Sequence, residues 1–184
     1  MTCLARPRRY PWPMSEPGGV KVPAPDDPVP AMVGVDVPFR VVRTEPAKSA
    51  EESARFQGIE LGSLVRTIVV RRGEADYVFV LVPGGRRFDW PKLRAHLGAS
   101  RLSLPDADEA REATGYERGA ITPFGAKHAW PVIADAAIVG QAMVAIGGGV
   151  RGVNVHLAPA DLISYLDAAV VDVTVPEDGA AAPR

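Results

Sequence analysis

Two runs rich in β-branched and aromatic residues stand close together near the middle of the chain. They are residues 64–71 (LVRTIVVR) and 77–82 (YVFVLV), and only a short segment around Gly73 separates them. The spacing predicts an antiparallel hairpin. A lone hairpin is marginal in water, so further strands must pair with it. The sequence supplies candidates at residues 39–43, 101–104, 132–133, 142–146, 153–157 and 171–175. In the fifth of these, Val153, Val155 and Leu157 alternate with Asn154 and His156, the pattern of a half-buried strand. Helices fall between them. Ser49 caps a helix over residues 50–57, Glu52 completes its capping box, and Gly58 closes it. Asp89 caps a second helix through Leu97, with Pro91 in its first turn and Gly98 at its end. Asp106 and Glu109 open a third that stops at Gly115, and Pro159 opens a fourth running to residue 167. About seven strands and about four helices, not in strict βαβ order, predict an α+β fold. Its mixed, partly barrel-like sheet would be flanked by the helices.

The prolines set the boundaries. Nine of the eighteen lie between Pro7 and Pro38, in a stretch with neither a helical nor a strand period. Residues 1–35 are therefore expected to be a largely disordered lead-in, residues 36–175 the folded unit, and residues 176–184 a disordered tail. With 184 residues, 47% apolar and 23% charged, the chain suits one globular domain and excludes wholesale disorder. A net charge of −1 gives no global attraction to nucleic acid, so any such surface must be a local patch. The single cysteine, Cys3, lies in the lead-in, and His96, His128 and His156 lack ligand spacing, so neither a metal nor a cofactor is expected. No apolar stretch approaches the roughly 18 residues of a membrane span. The arginines near residue 6 precede no apolar core either, so a cytoplasmic protein with no membrane partner is expected.

Two loops concentrate glycine and proline: residues 115–125 (GYERGAITPFG) and Gly147-Gly148-Gly149. Such loops let backbone amides approach a ligand closely. Residues 147–152 place glycines at dinucleotide-fingerprint offsets, but a strand pattern follows where that motif demands a helix, so the fingerprint is rejected. Arg66 is unusual. It shares strand parity with Leu64, Ile68 and Val70, a setting that requires a cleft or a buried partner. Residues 61–101 carry eight basic and three acidic side chains, and Arg71, Arg72, Arg86 and Arg87 are candidates for a phosphate-facing patch. No Ser-His-Asp triad or carboxylate pair can be assembled from spacing; His128, beside the first loop, is the better histidine candidate for a base.

The order Arg-Thr-Ile-Val-Val, Gly-Tyr-x-x-Gly-x-x-Thr-Pro-Phe-Gly, Gly-Gly-Gly, Pro-x-Asp-Leu and Val-Val-Asp-Val-Thr resembles the YbaK / prolyl-tRNA-synthetase-associated editing domain family. The likeness runs from residue 49 to 175, with Lys48-Ser49-Ala50 and Glu52 as a weaker echo. It implies metal- and cofactor-free hydrolysis of mischarged aminoacyl-tRNA on a mixed sheet flanked by helices. The tRNA 3′ acceptor end is the implied partner, with an aminoacyl-tRNA synthetase as a further candidate. Three positions depart from the family pattern: Arg66 stands for the usual lysine, Ala120 for a loop glycine, and Ile146 for a serine found in some members.

On that resemblance, Arg66, Gly119, Ala120 and Thr122 are the expected catalytic set. Arg66 would hold a phosphate or the acyl group, and loop amides would bind the oxyanion. Thr67, Ile121, Pro123, Ile146, Gly147, Gly148 and Gly149 would shape the pocket around a small amino acid. A non-catalytic relative that binds tRNA ends or a protein is the alternative.

Overall fold

The computed structural model describes residues 29–177, and the expected hairpin lies at its centre. In chain order the elements are β1 (Phe39–Arg43), α1 (Ala50–Gln57), β2 (Leu64–Gly73), β3 (Asp76–Pro83), β4 (Arg86–Phe88), α2 (Trp90–Leu97) and α3 (Ala107–Thr114). They continue with β5 (Val132–Asp135), β6 (Val144–Gly147), β7 (Val153–Leu157), α4 (Pro159–Tyr165), β8 (Ala169–Val171) and β9 (Thr174–Pro176). Local chemistry explains the helix starts. The side chains of Ser49, Asp89 and Asp106 accept from the amides of Glu52, Lys92 and Glu109 at 3.1, 3.2 and 2.8 Å. The Glu52 carboxylate reaches back to the Lys48 amide at 2.7 Å, completing the first cap.

Seven strands form one mixed sheet in the order β1-β7-β6-β2-β3-β5-β8. The β6–β2, β3–β5 and β5–β8 pairs are parallel and the others antiparallel. The fold is α+β as expected, but the sheet stays open, with β1 and β8 as its edges, and is not barrel-like. Strands β4 and β9 pair separately as a two-stranded sheet. Residues 101–104 contribute a single bridge, Ser103 to Arg71. The run at 171–175 divides between β8 and β9 because Val173 is buried and its peptide is bonded on both sides. Its amide donates to the Asp135 carboxylate at 3.1 Å, and its carbonyl accepts from the Asp89 amide at 2.9 Å.

Alternation along β2 and β3 divides the core. Val65, Val69, Phe79 and Leu81 join one cluster with Val155 and Leu157. Val70, Val78, Val80 and Val82 join another beneath Leu93 of α2. Both faces of the hairpin are covered, which explains its nearly unbroken apolar sequence. The packed unit also begins earlier than residue 36. Val29, Ala31 and Met32 are buried in the first cluster, around a 3-10 turn at Pro30–Met32. Residues 1–28 and 178–184, the remainder of the expected lead-in and tail, lie outside the described residues. Among the described residues, no helix is long and apolar enough to cross a membrane, and no cluster of three metal-binding side chains occurs.

His156 is 5% exposed, on the face of β7 opposite Val155. Burial first, and the charge of Arg40 second, lower its pKa to about 4 from an ordinary value of 6.5. Between those values the unfolded chain takes up a proton that the folded protein refuses. Stability is therefore expected to fall as pH drops from 6.5 towards 4, by on the order of 3 kcal/mol from this group. Urea midpoints at pH 7 and 4.5 check this: the difference between them should be smaller in the His156→Gln variant than in the unaltered protein.

Candidate active site

Sheet register brings the sequence candidates together. Val65 pairs with Ile146, and Asn154 pairs with Gly147, so Arg66, Gly147 and Asn154 fall in successive strands at one level of the sheet. A cleft of about 310 Å³ opens there. Its wall includes Arg66 and Thr67 of β2, Gly119 and Ile121 of the first glycine loop, and Gly147 at the end of β6. Helix α1 and its approach add Lys48, Ser49 and Ser53, and the β6–β7 turn adds Arg151.

Glycine geometry fixes the loops. Gly119 has φ +89°, and the Arg151 guanidinium lies 3.6 Å from where its Cβ would be. Arg151 donates to the Arg118 carbonyl at 2.8 Å, joining the two glycine loops across the mouth of the cleft. Gly149 has φ +84°, and a Cβ there would come 2.8 Å from the Tyr116 ring, so the turn excludes other residues. The Tyr116 hydroxyl donates to the Phe124 carbonyl at 2.7 Å and closes residues 116–124 into a compact loop.

Within that loop the Ala120 amide is consumed by the Glu117 carbonyl at 2.9 Å, so it is not an oxyanion donor. Among the described residues no backbone carbonyl takes the amides of Gly119 and Ile121. The Thr122 hydroxyl is fully buried without a partner, as are the Thr67 hydroxyl and Arg66 Nε. Arg66 and Thr67 line the cleft and Thr122 does not; two orphaned polar atoms on cleft residues are costly unless a ligand or ordered water meets them.

The Arg66 side chain is one-third exposed. One of its terminal nitrogens donates to the Arg86 carbonyl and pairs with Glu177 Oε1 at 3.2 Å. The cleft expected from its strand parity is thus present; the carboxylate partner is partly exposed, not buried, and comes from the segment read as tail. The charge of Arg66 also reaches the start of α1. The Glu51 carboxyl is held below the usual range mainly by its own backbone amide, then by the Ser49 hydroxyl, with Arg66 a smaller contributor.

Other expected residues lie elsewhere. Ile146 is fully buried in the first core cluster, with Val65 and Val155 beside it in the sheet, and does not line the cleft. Nor do Ala120, Thr122, Pro123, Gly148 and Gly149; a Cβ on Gly148 would strike Val153 at 2.8 Å, and Val29 packs behind it. Three of the four arginines of the expected patch face carboxylates of the fold. Arg71 binds Glu109 at 3.1 Å and Arg72 binds Asp76 at 2.6 Å. Arg86 donates to Thr174 Oγ1 at 2.6 Å and lies 3.7 Å from the buried Asp135 carboxylate. Arg87 sits on β4, paired in register with Val175. His128 lies outside the cleft, against the Trp130 ring. It lines a larger hollow of about 800 Å³ with Arg71, Tyr77, Glu109 and Trp130. There Glu109 already satisfies both Arg71 and the Tyr77 hydroxyl.

Sequence reasoning passed over Arg151, Asn154 and Ser53. Arg151 stood inside the rejected fingerprint, where its position between Gly149 and Gly152 was the only available signal.

The aminoacyl-tRNA editing domain family matches residues 44–165. An Enterococcus faecalis protein named "Putative Cys-tRNA(Pro)/Cys-tRNA(Cys) deacylase EbsC" is 27% identical over 129 residues, covering 70% of this chain and 79% of that protein. A proline–tRNA ligase from Thermosipho melanesiensis is 30% identical over 120 residues, which is 64% of this chain but 21% of the ligase. The chain thus spans about a fifth of that relative. A crystal structure described as "a putative trans-editing enzyme for prolyl tRNA synthetase" is 29% identical, with a TM-score of 0.69 over 74% of this chain and 87% of that one. The family match takes in both glycine loops, Arg66, the start of α1 and Arg151, so every wall of the cleft described above lies inside it. This chain belongs to the aminoacyl-tRNA editing domain family.

Proposed function

We propose that this protein acts in trans as an aminoacyl-tRNA deacylase, removing a small, mischarged amino acid from the tRNA 3′ end. The observation that carries the reading is the pair of unpartnered polar atoms, Arg66 Nε and Thr67 Oγ1, on residues that line one cleft with Gly119, Ile121 and Gly147 of the glycine loops. In the reaction, water adds to the ester carbonyl carbon and the carbonyl oxygen gains negative charge. The C–O bond to the terminal ribose then breaks, and the ribose oxygen leaves with a proton. The products are a free amino acid and uncharged tRNA. The amides of Gly119 and Ile121 suit the oxyanion. Arg66 remains protonated, so it serves as an electrostatic anchor and not as the base, in place of the family's lysine. A neighbouring ribose hydroxyl of the substrate is the natural proton carrier.

The cleft is small and its wall includes Leu64, Val65, Ile121 and Val150, which favours a small side chain on the substrate. With Arg71, Arg72 and Arg86 engaged by acceptors of the fold itself, Lys48 and Arg151 at the cleft are the better candidates for the tRNA phosphates. Relatives that carry this segment within proline–tRNA ligases support a synthetase as the docking partner. The engagement of Arg66 by Glu177 favours a second reading, a binder of tRNA ends without turnover.

A panel of tRNAs mischarged with amino acids of graded size separates the two. The purified protein is expected to release small amino acids faster than bulky ones. Binding without release above the buffer rate supports the second reading, and neither binding nor release overturns both.

A further inference from the structure

Helix α1 covers the sheet face on which Asn154 and His156 project from β7, the face opposite Val153, Val155 and Leu157 of the core. Apolar contact between helix and sheet is made there by a small cluster of Ala54, Leu64 and Ala145, with Ala50, Ile59 and Leu61 against it. The rest of the seam is polar. His156 Nε2 lies 2.8 Å from Gln57 Oε1, and both residues are 5% exposed. One helical turn earlier, the Ser53 hydroxyl oxygen accepts from Gln57 Nε2 at 2.9 Å. Ser53 in turn lines the cleft, as do Ser49 and Arg66.

This chain of bonds has a direction. With the Gln57 carbonyl oxygen turned to the ring and its nitrogen to Ser53, the neutral imidazole carries its proton on Nε2. With its oxygen occupied, the Gln57 amide is fixed and its nitrogen points a hydrogen at Ser53 Oγ. That bond uses a lone pair of the hydroxyl and leaves its hydrogen free, and among the described residues Ser53 Oγ donates to no acceptor. A buried histidine–glutamine pair therefore sets the orientation of one O–H group at the cleft wall. Apolar residues at both buried positions would pack as well without the cost of desolvating two polar groups.

We propose that Ser53 is a substrate-binding residue whose hydroxyl donates to an acceptor oxygen of the terminal nucleotide, with Gln57 and His156 as positioning residues behind it. The proposal rests on the deacylase reading and assigns a contact to that site. The expected loss for Ser53→Ala is about tenfold in kcat/KM, the worth of one hydrogen bond. Gln57→Leu keeps the volume but frees the hydroxyl to rotate, with an expected loss of about threefold.

The test is a double-mutant cycle on deacylation, with thermal melting of each variant. If Gln57 acts through Ser53, the Ser53→Ala/Gln57→Leu variant is no slower than Ser53→Ala alone, although it melts lower. A Gln57→Leu loss that persists in full in the Ser53→Ala background overturns the positioning role. An unchanged kcat/KM for Ser53→Ala overturns the proposal while leaving the deacylase reading intact. An unaltered protein that releases no amino acid overturns both.

Discussion

Replacing Arg66 by alanine is expected to lower deacylation kcat/KM by about 2–4 kcal/mol, roughly thirty- to a thousand-fold. Arg66 falls at the level of Gly147 and Asn154 in the sheet, and it is the cation of β2 that lines the cleft. On the proposed deacylase reading, removing it would leave the developing oxyanion or phosphate without its counter-charge. The fold should tolerate the change, because Arg66 is one-third exposed and its partner Glu177 can turn to water. Arg66→Lys keeps the charge but places it on a shorter, non-planar head than the guanidinium whose one terminal nitrogen meets both Arg86 and Glu177, so activity within about tenfold of the unaltered protein is expected. Glu177→Gln removes the competing carboxylate and should tighten tRNA binding, most visibly at low salt. Steady-state kinetics on a mischarged tRNA, with melting curves as a folding control, check all three. Equal activity of Arg66→Ala and the unaltered protein removes Arg66 from the mechanism.

The second large effect concerns the other end of the chain. A chain beginning at Val33 is expected to be less stable than one beginning at Val29 by about 3–5 kcal/mol, since it lacks three buried apolar anchors. In a domain of this size that is a fall in Tm of about 8–16 °C. Activity should fall as well. Ala31 packs against Gly125 and Gly149, and Val29 lies behind Gly148, so this short turn supports both glycine loops from outside. Differential scanning calorimetry of the two chains gives the answer. Melting temperatures within two or three degrees of each other would falsify the anchoring role.

That segment shows where the sequence stops being legible. Val29, Ala31 and Met32 occupy a single 3-10 turn, too short for any period, among prolines that announce disorder. The helix starts were legible because each is a local device, a side-chain oxygen reaching an amide three residues on. The hairpin was legible because its β-branched runs are long and its turn is short. The Arg66 partner was not: Glu177 lies 111 residues away, and no local rule connects them. The division of residues 171–175 depends on the Asp135 carboxylate, 38 residues distant, taking the Val173 amide. In the candidate site, the glycine punctuation marked two loops that reach the cleft but not which amides the loop itself would use. Ala120 is spent internally through a turn to Glu117, which composition cannot reveal.

Strands β4 and β9 have three residues each and pair only with one another. Just beyond β9, the Glu177 amide is tied to the Gly85 carbonyl at 2.9 Å, while its carboxylate holds Arg66. Local opening of so small a ladder costs far less than global unfolding. The occupancy of the Arg66–Glu177 pair is therefore set by the fraying of a peripheral ribbon and not by the stability of the domain. Amide exchange at Glu177 would read that fraying directly, and an anionic ligand that captures Arg66 would quicken it.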